Sequence, residues 1–240
     1  MEFALVLALG LVAGTLGGIV GFGTSIMLMP ALVLAFGPRE AVPIMAVASI
    51  MANASRVAVW WNQVDWRAVG AYSVTGFPSA ALGAATLLVL PTRAVEASLG
   101  AFFIAMIPVR RWMANREWRL GLWHLAALGA VIGFLTGIVA STGPINAPFF
   151  LAYGLVKGAY LGTEALSSIA VYVAKAITFR SLGALPWDAL AKGLIVGTSL
   201  VAGAFVAKRF VLQLDASRFR LLMDGLLLVA GSTMLWAAAR

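Results

Sequence analysis

The chain has 240 residues, of which 62% are hydrophobic and 11% are charged, with a formal net charge of +8. Soluble domains carry about 25% charged residues, so this composition excludes an ordinary soluble protein. The chain has no cysteine, which excludes disulfides, thiolate metal sites and cysteine nucleophiles. Its single histidine, His124, argues against a histidine-based metal site, and we expect neither a metal nor a cofactor.

Long uncharged stretches indicate an integral membrane protein. The windows 3–38, 68–92 and 125–156 contain no Asp, Glu, Lys or Arg, and each is at least as long as the roughly 20 residues that cross a bilayer. The start of the chain has neither the basic segment nor the cleavage site of a secretory signal peptide. Lys and Arg concentrate in short loops, where they orient membrane helices, and not on one face of a folded domain. The expected partner is therefore the lipid bilayer, and we expect no nucleic acid.

Taken in chain order, the sequence predicts an all-α protein with five helical segments in each half. The predicted bounds are 3–20, 24–36, 39–61, 66–90 and 92–108, and then 120–139, 144–156, 163–180, 187–210 and 216–238. Joined as one helix, the first two segments would span roughly 50 Å, well beyond a hydrocarbon core of about 30 Å. The second segment alone is short for a crossing. We therefore predict a broken or re-entrant first helix in each half.

The two halves repeat each other. Residues 9–20 (LGLVAGTLGGIV) and 128–139 (LGAVIGFLTGIV) are identical at eight of twelve positions, at a constant offset of 119 residues. The shared glycines follow the small-xxx-small spacing that lets helices pack closely. Such stripes serve packing within a monomer as well as dimerisation, so a homo-oligomer stays open.

The repeat divides the chain into a first transmembrane repeat (1–109), a basic cytoplasmic linker (110–119) and a second transmembrane repeat (120–240). If each hairpin leaves and returns on one side, a half crosses the membrane an odd number of times. The halves are then inverted, and this arrangement fits the positive-inside rule better than a plain eight-helix count. We expect a multi-pass protein of the plasma (inner) membrane.

The breaks themselves indicate a binding site, because unpaired backbone at membrane depth is tolerated only where protein or a water-filled cavity satisfies it. The first break, Gly21–Gly23, leads into Thr24 and Ser25, and the second is Ser141–Gly143. Ser and Thr are good N-caps, and a helix N-terminus attracts anions. In an inverted pair two such termini can face one central point, as in known transporters. The alternative is a glycine hinge that merely lets helices cross closely.

Two cations lie at matching positions in otherwise apolar helices, Arg56 in the first half and Lys175 in the second. Each either faces a cavity, as a functional intramembrane charge does, or snorkels to the interface. Neutral hydrogen-bonding residues stand near them. The complete set of predicted substrate-binding residues is Gly21, Gly23, Thr24, Ser25, Asn53, Arg56, Ser141, Thr142, Gly143, Asn146, Tyr172 and Lys175.

The acidic residues receive mainly structural interpretations. Glu164 follows Thr163 at a predicted helix start, where a carboxylate suits the helix dipole. Asp224 lies one turn after Arg220 and either pairs with it or carries a coupling proton.

The paired glycine-rich breaks ending in proline, GGIVGFGTSIMLMP and TGIVASTGPINAP, resemble the TauE/SafE family of sulfite-exporter-like membrane permeases. The family's usual break carries consecutive glycines, whereas here the first break reads Gly21-Phe22-Gly23-Thr24 and the second reads Ser141-Thr142-Gly143. The resemblance implies transport of small, often sulfur-containing anions, such as sulfite, sulfonates or related organic acids.

These observations predict a secondary transporter whose anion binds near the membrane midplane, between the two breaks. An anion channel and a transporter of non-sulfur organic acids remain alternatives. An intramembrane enzyme would need a nucleophile, a metal or an acid–base cluster, and the polar clusters here are Ser, Thr and Asn beside glycine. We therefore expect no enzyme.

Overall fold

The computed structural model describes residues 2–20, 24–114, 119–139 and 142–210, together with scattered positions after 210. The described part is helical and contains no strand. Its helices are α1 (Glu2–Val20), α2 (Thr24–Phe36), α3 (Pro38–Trp60), α4 (Trp66–Val89), α5 (Thr92–Ala114), α6 (Leu122–Ile138), α7 (Gly143–Ala152), α8 (Lys157–Ser181) and α9 (Trp187–Phe210), with a 3₁₀ turn over Trp61–Gln63. The last predicted segment, 216–238, lies almost entirely outside the described residues.

Most predicted bounds agree with these helices within a few residues, and the largest difference lies between α7 and α8. Helix α7 ends at Ala152 instead of 156, because Gly154 takes a left-handed conformation (φ +106°) that stops a helix. Helix α8 begins at Lys157 instead of 163. Glycines weaken a helix prediction, but Gly158 and Gly162 let the first turns of α8 approach Trp60 at the end of α3.

A second difference concerns the predicted linker 110–119. Helix α5 continues to Ala114, so helical structure extends into the first part of that segment. The apolar pattern ends before the first arginine of the linker, whereas the helix continues through it.

Several helices suit a membrane. In the described part of the chain, three are long and apolar enough to cross one, at Arg39–Gln63, Trp66–Val89 and Trp187–Phe205. Shorter apolar helices cover Leu5–Gly17, Met27–Phe36 and Leu122–Ile138. Large apolar side chains such as Leu34, Val74 and Val89 are exposed on the outer surface, where a bilayer would surround them.

Helices α3 and α8 form the centre of the bundle and pack against each other. Helix α1 packs along α9, and α6 packs along α4. Helix α3 also contacts α9, and α8 also contacts α4. The central position of α3 and α8 is what places Arg56 and Lys175 inside the protein.

Glycines bring the paired helices close together, as the small-xxx-small pattern predicts. A Cβ added to Gly133 of α6 would lie 2.6 Å from the carbonyl oxygen of Gly76 in α4, and one added to Gly14 of α1 would lie 2.7 Å from the Cα of Leu200 in α9. Similar contacts hold for Gly10, Gly129 and Gly137, whereas the surroundings of Gly18 lie outside the described part. The predicted role of the glycine stripes in close packing is thus confirmed for five glycines, within a single chain.

Candidate functional site

The two breaks are described to different extents. The first lies between Val20 and Thr24, and Gly21 and Gly23 are outside the described residues. In the second, α6 ends at Ile138 and α7 begins at Gly143, with Thr142 described and Ser141 not. The binding roles of Gly21, Gly23 and Ser141 therefore stay predictions.

The predicted hydroxyl caps are wrong where they can be seen. Thr24 and Ser25 are the first two residues of α2, so the cap position precedes them. Thr142 does hold the N-cap position of α7, but its hydroxyl makes no cap and bonds instead to the Thr136 hydroxyl across the break. The Thr142 hydroxyl is thus bonded to Thr136 of α6 and not to the N–H groups at the start of α7.

The start of α7 also presents fewer free N–H groups than expected. Pro144 has no N–H, and the N–H groups of Ile145 and Asn146 already donate to the Thr142 carbonyl, at 2.9 and 3.0 Å. The dipole of α7 remains, but positive charge at this break has to come mainly from side chains.

Lys175 supplies that charge. Its side chain is 0% exposed, and its ammonium donates to the carbonyl oxygens of Thr136 and Val139, both at 2.7 Å. These carbonyls belong to the end of α6, where backbone acceptors have no helical partner. The ammonium also lies 5.7 Å from the centre of the Phe179 ring. A wholly buried ammonium does not fit the snorkelling interpretation, which requires the charge to stay wet.

Arg56 lies in a second polar group, between α3 and α8. Its Nη1 is 3.1 Å from Oε2 of Glu164, and the two side chains are 12% and 2% exposed. Its Nη2 bonds to Oδ1 of Asn53, whose own Nδ2 donates to the Ser49 carbonyl at 2.8 Å. Ser168 donates to Oε1 of Glu164 at 2.8 Å. The ion pair thus joins the two central helices.

The predicted position of Glu164 at a helix start is therefore wrong. Because α8 begins at Lys157, Glu164 lies two turns inside the helix. There it balances a buried guanidinium, so its main electrostatic partner is a side chain of α3 and not the dipole of its own helix.

A small cavity lies beside Arg56, next to the first break. It is lined by Gly14 and Gly17 of α1, Thr24 of α2, Ala52 and Arg56 of α3, and Leu200 and Ala204 of α9. Its volume of about 10 Å³ is close to what one water molecule needs. On the neighbouring turn, the hydroxyls of Ser25 and Ser49 lie 3.4 Å apart. The cavity shows that Arg56 and the start of α2 share one space.

Tyr72 of α4 contacts the α7 side of the site. Its buried hydroxyl donates to Oδ1 of Asn146 at 3.0 Å, and its ring packs against Phe150. Tyr72 therefore joins α4 to α7 beside the second polar group.

The predicted residues thus fall into two groups along α8. Glu164 and Lys175 are eleven residues apart in this helix, a rise of about 16 Å. Thr24, Ser25, Asn53 and Arg56 belong to the first group, Thr142, Gly143, Asn146 and Lys175 belong to the second, and Tyr172 lies on α8 between them. The two cations contact different partners and do not meet at one point.

Comparison with known proteins gives a clear result. The model of the family described as "Sulfite exporter TauE/SafE" matches residues 6–234. The chain belongs to the TauE/SafE family. A protein of Sinorhizobium fredii named "Probable membrane transporter protein y4hK" is 29% identical over 84% of this chain and 85% of its own length. No solved structure matches the chain.

Membership of the TauE/SafE family confirms the resemblance seen in the sequence. The chain is a multi-pass membrane protein that works as a transporter and not as an enzyme. The described residues contain no group of three or more His, Asp and Glu side chains that could hold a metal ion. His124 has a local role, since its Nδ1 accepts a hydrogen bond from the Gly121 N–H at 3.0 Å.

Sequence reasoning missed several members of this TauE/SafE site. Tyr72 gave no signal, because a tyrosine in an apolar helix looks like an ordinary core or interface residue. Glu164 had a usable signal: Tyr160 and Ser168 lie four residues to either side and share one helix face with it. The predicted helix began at 163 and left Tyr160 outside, whereas α8 begins at Lys157 and includes all three residues.

Proposed function

We propose that this chain is a secondary transporter of small, sulfur-containing anions, such as sulfite or organosulfonates, in the plasma (inner) membrane. The observation that carries the proposal is the wholly buried ammonium of Lys175 beside the α6–α7 break. Among the described side chains, Arg56 pairs with Glu164 and Lys192 pairs with Glu40 and Asp188, whereas no carboxylate pairs with Lys175. An intramembrane cation of this kind marks a substrate pathway by default.

The balance of buried charges supports an anionic substrate. Arg56 and Lys175 contribute two positive charges, and Glu164 contributes one negative charge. Among these three groups the interior has an excess of one positive charge. A small anion placed near Tyr72 and Asn146, between the two polar groups, would balance it and meet neutral hydrogen-bonding side chains.

The helix contacts support two homologous repeats of inverted topology. In the predicted repeat, α1 corresponds to α6 and α4 corresponds to α9. Helix α1 contacts α9 while α6 contacts α4, so the first helix of each repeat packs on the fourth of the other. The central pair α3 and α8 would then be related to each other. Such a pair suits alternating access, in which one repeat moves against the other around a fixed site.

The sulfur content of the substrate is supported by the family, whose description names sulfite export. The relative from Sinorhizobium fredii is described as a membrane transporter without a substrate. Two alternatives remain: an anion channel, and a transporter of non-sulfur organic acids.

The test is anion uptake by purified protein in liposomes, with a panel of sulfite, sulfoacetate, sulfate, acetate and chloride. We expect saturable uptake of a sulfur oxyanion and exchange of labelled for unlabelled substrate. Unsaturable conductance without exchange would indicate a channel, and a preference for acetate would indicate organic acids. No saturable movement of any anion, by protein that remains folded, would overturn the proposal.

Lys175→Gln tests the observation that carries the proposal. Loss of a buried charged partner costs about 2–5 kcal/mol, so the apparent affinity should fall at least about 30-fold. Lys192→Gln is the matched control, because Lys192 is a partly exposed lysine that already pairs with Glu40 and Asp188. Equal affinities in the two variants would show that Lys175 does not contact the anion.

A further inference from the structure

Glu164 is distinguished from the other acidic residues by its burial. Of the carboxylates whose side chains the structure describes, Glu40, Asp65 and Asp188 are partly or fully exposed, and Glu164 is 2% exposed. Ionisable groups inside a membrane protein are costly and mark proton or substrate pathways. We therefore expect the buried carboxylate of Glu164 to take part in transport.

The position of Glu164 sets it in competition with the substrate. Its Oε2 takes a hydrogen bond from Nη1 of Arg56, at 3.1 Å. The same guanidinium lines the small cavity that Thr24 and the glycines of α1 also line, beside the first break. An anion that reached Arg56 would meet N–H groups that Glu164 already uses.

We propose that Glu164 is the proton-binding site that couples anion movement to the proton gradient. When an anion takes over the guanidinium of Arg56, Glu164 is left as an unpaired buried charge, which is strongly unfavourable. A proton from the aqueous side then binds to its carboxylate and removes that charge. One proton therefore moves with each anion, and release of the anion lets Glu164 return to Arg56 as the proton leaves. This mechanism rests on the proposed anion transport.

The surroundings of Glu164 suit a carboxyl group that gains and loses a proton. From α3 it faces Arg56, and Tyr72 of α4 is near enough to influence it electrostatically. On its own helix, Ser168 donates to Oε1 at 2.8 Å, and Tyr160 lies one turn earlier and interacts electrostatically with both Glu164 and Arg56.

Within about one turn of Glu164 along α8, two hydroxyls are buried without a hydrogen-bond partner in the described part of the chain, Tyr160 Oη and Ser167 Oγ. A hydroxyl both donates and accepts, so either can hold a proton donor or an anion oxygen near the carboxyl group. On the loop side, the N–H of Asp65 bonds to Thr163 Oγ1 at 2.9 Å, and the Asp65 carboxylate caps α4. Asp65 therefore has its own partners.

The experiment measures protons and anions together in liposomes that contain a pH-sensitive dye. The probe is labelled sulfoacetate, which is fully ionised near neutral pH and so carries no proton itself. In the wild type, entry of sulfoacetate should acidify the lumen, and an alkaline lumen should drive its accumulation. Net uptake of sulfoacetate without any proton movement in the wild type would overturn the coupling while leaving anion transport intact. Absence of exchange would instead contradict the proposed function.

Glu164→Gln assigns the proton to this side chain. The ratio of protons to anions should fall at least about tenfold, because an amide does not take up a proton in this range. Asp188→Asn is the matched control: Asp188 is exposed on α9, so this change should leave the ratio as in the wild type. A Glu164→Gln variant that still accumulates sulfoacetate against its gradient, with the wild-type ratio, would refute the assignment.

Ser168→Ala keeps the assignment testable if Glu164→Gln does not fold. The Ser168 hydroxyl donates a hydrogen bond to Oε1 of Glu164, so its removal changes how readily this carboxyl group gains and loses a proton. The pH profile of proton-coupled uptake should then differ from that of the wild type. A profile that does not move, in a folded Ser168→Ala variant, would contradict the role of Glu164.

Discussion

Close contact between α4 and α6 gives a sharp prediction about Gly133. A Cβ at this position would lie 2.6 Å from the carbonyl oxygen and 2.9 Å from the Cα of Gly76, whereas ordinary contacts begin near 3.4 Å. Both neighbours are backbone atoms, which cannot rotate away as a side chain can. Gly133→Val therefore forces the two helices apart by about 1 Å.

The cost follows from overpacking. Added methyl groups in a tightly packed interior destabilise by about 1–3 kcal/mol, and sometimes more. Separation of the helices would also loosen the contacts of Gly129 and Gly137 along the same interface. Because valine has only a slightly better helix propensity than glycine, little of this loss is recovered. We expect the upper half of the range, which corresponds to a fall in melting temperature of at least about 4 °C for a chain of this size.

The assay is thermal unfolding of the purified protein in detergent, followed by tryptophan fluorescence. Gly70→Val is the matched control, because a Cβ at Gly70 of α4 would have nothing within 4 Å. It should change the free energy of unfolding by no more than about 0.5 kcal/mol. If Gly133→Val melts with the wild type, α4 and α6 do not approach each other as closely as described.

Three further predictions concern the polar contacts. Tyr72→Phe should lower the free energy of unfolding by about 1–3 kcal/mol, because it leaves Oδ1 of Asn146 without its buried donor; unchanged stability by denaturant titration would show that the bond is dispensable. Arg56→Met and Glu164→Met should each lose about 3–5 kcal/mol, and the double variant should regain most of it, because the pair is buried; additive losses in the double-mutant cycle would contradict this. Asp65→Ala should lose about 0.5–2 kcal/mol, because Asp65 caps α4; full stability in the same titration would show that solvent replaces the cap.

The helices themselves could be predicted from the sequence, because membrane helices need long apolar segments and glycine or charge separates them. Nine of the ten predicted segments correspond to described helices. Their partners could not be predicted. Helices such as α1 and α6 are apolar all round, so hydrophobic periodicity does not reveal which face is buried.

For the site, the residue types could be predicted from the sequence, but their contacts could not. The predicted repeat drew attention to Arg56 and Lys175, of which the structure buries Lys175 wholly and Arg56 largely. Their partners come from distant segments, Glu164 for Arg56 and the end of α6 for Lys175. Contacts of this range depend on tertiary packing, and the spacing of residues along the chain does not encode them.

Assignments beyond the described residues stay predictions. Gly21, Gly23 and Ser141 of the breaks belong here, as does Asp224, the acidic residue for which the sequence offered a coupling role. The structure instead directs attention to Glu164. This residue lies inside α8 and not at its start, and it pairs there with Arg56 of α3.

The packing of α1 along α9 has a consequence for how the protein is made. Helix α1 leaves the ribosome well before α9, which follows only after about 170 further residues have been synthesised. At typical synthesis rates of about 5–20 residues per second, α1 waits for several seconds or longer in the membrane. During that time its glycine-lined face has to be shielded by lipid or by the insertion machinery. A nascent chain that stops before α9 would therefore be a ready substrate for membrane quality control.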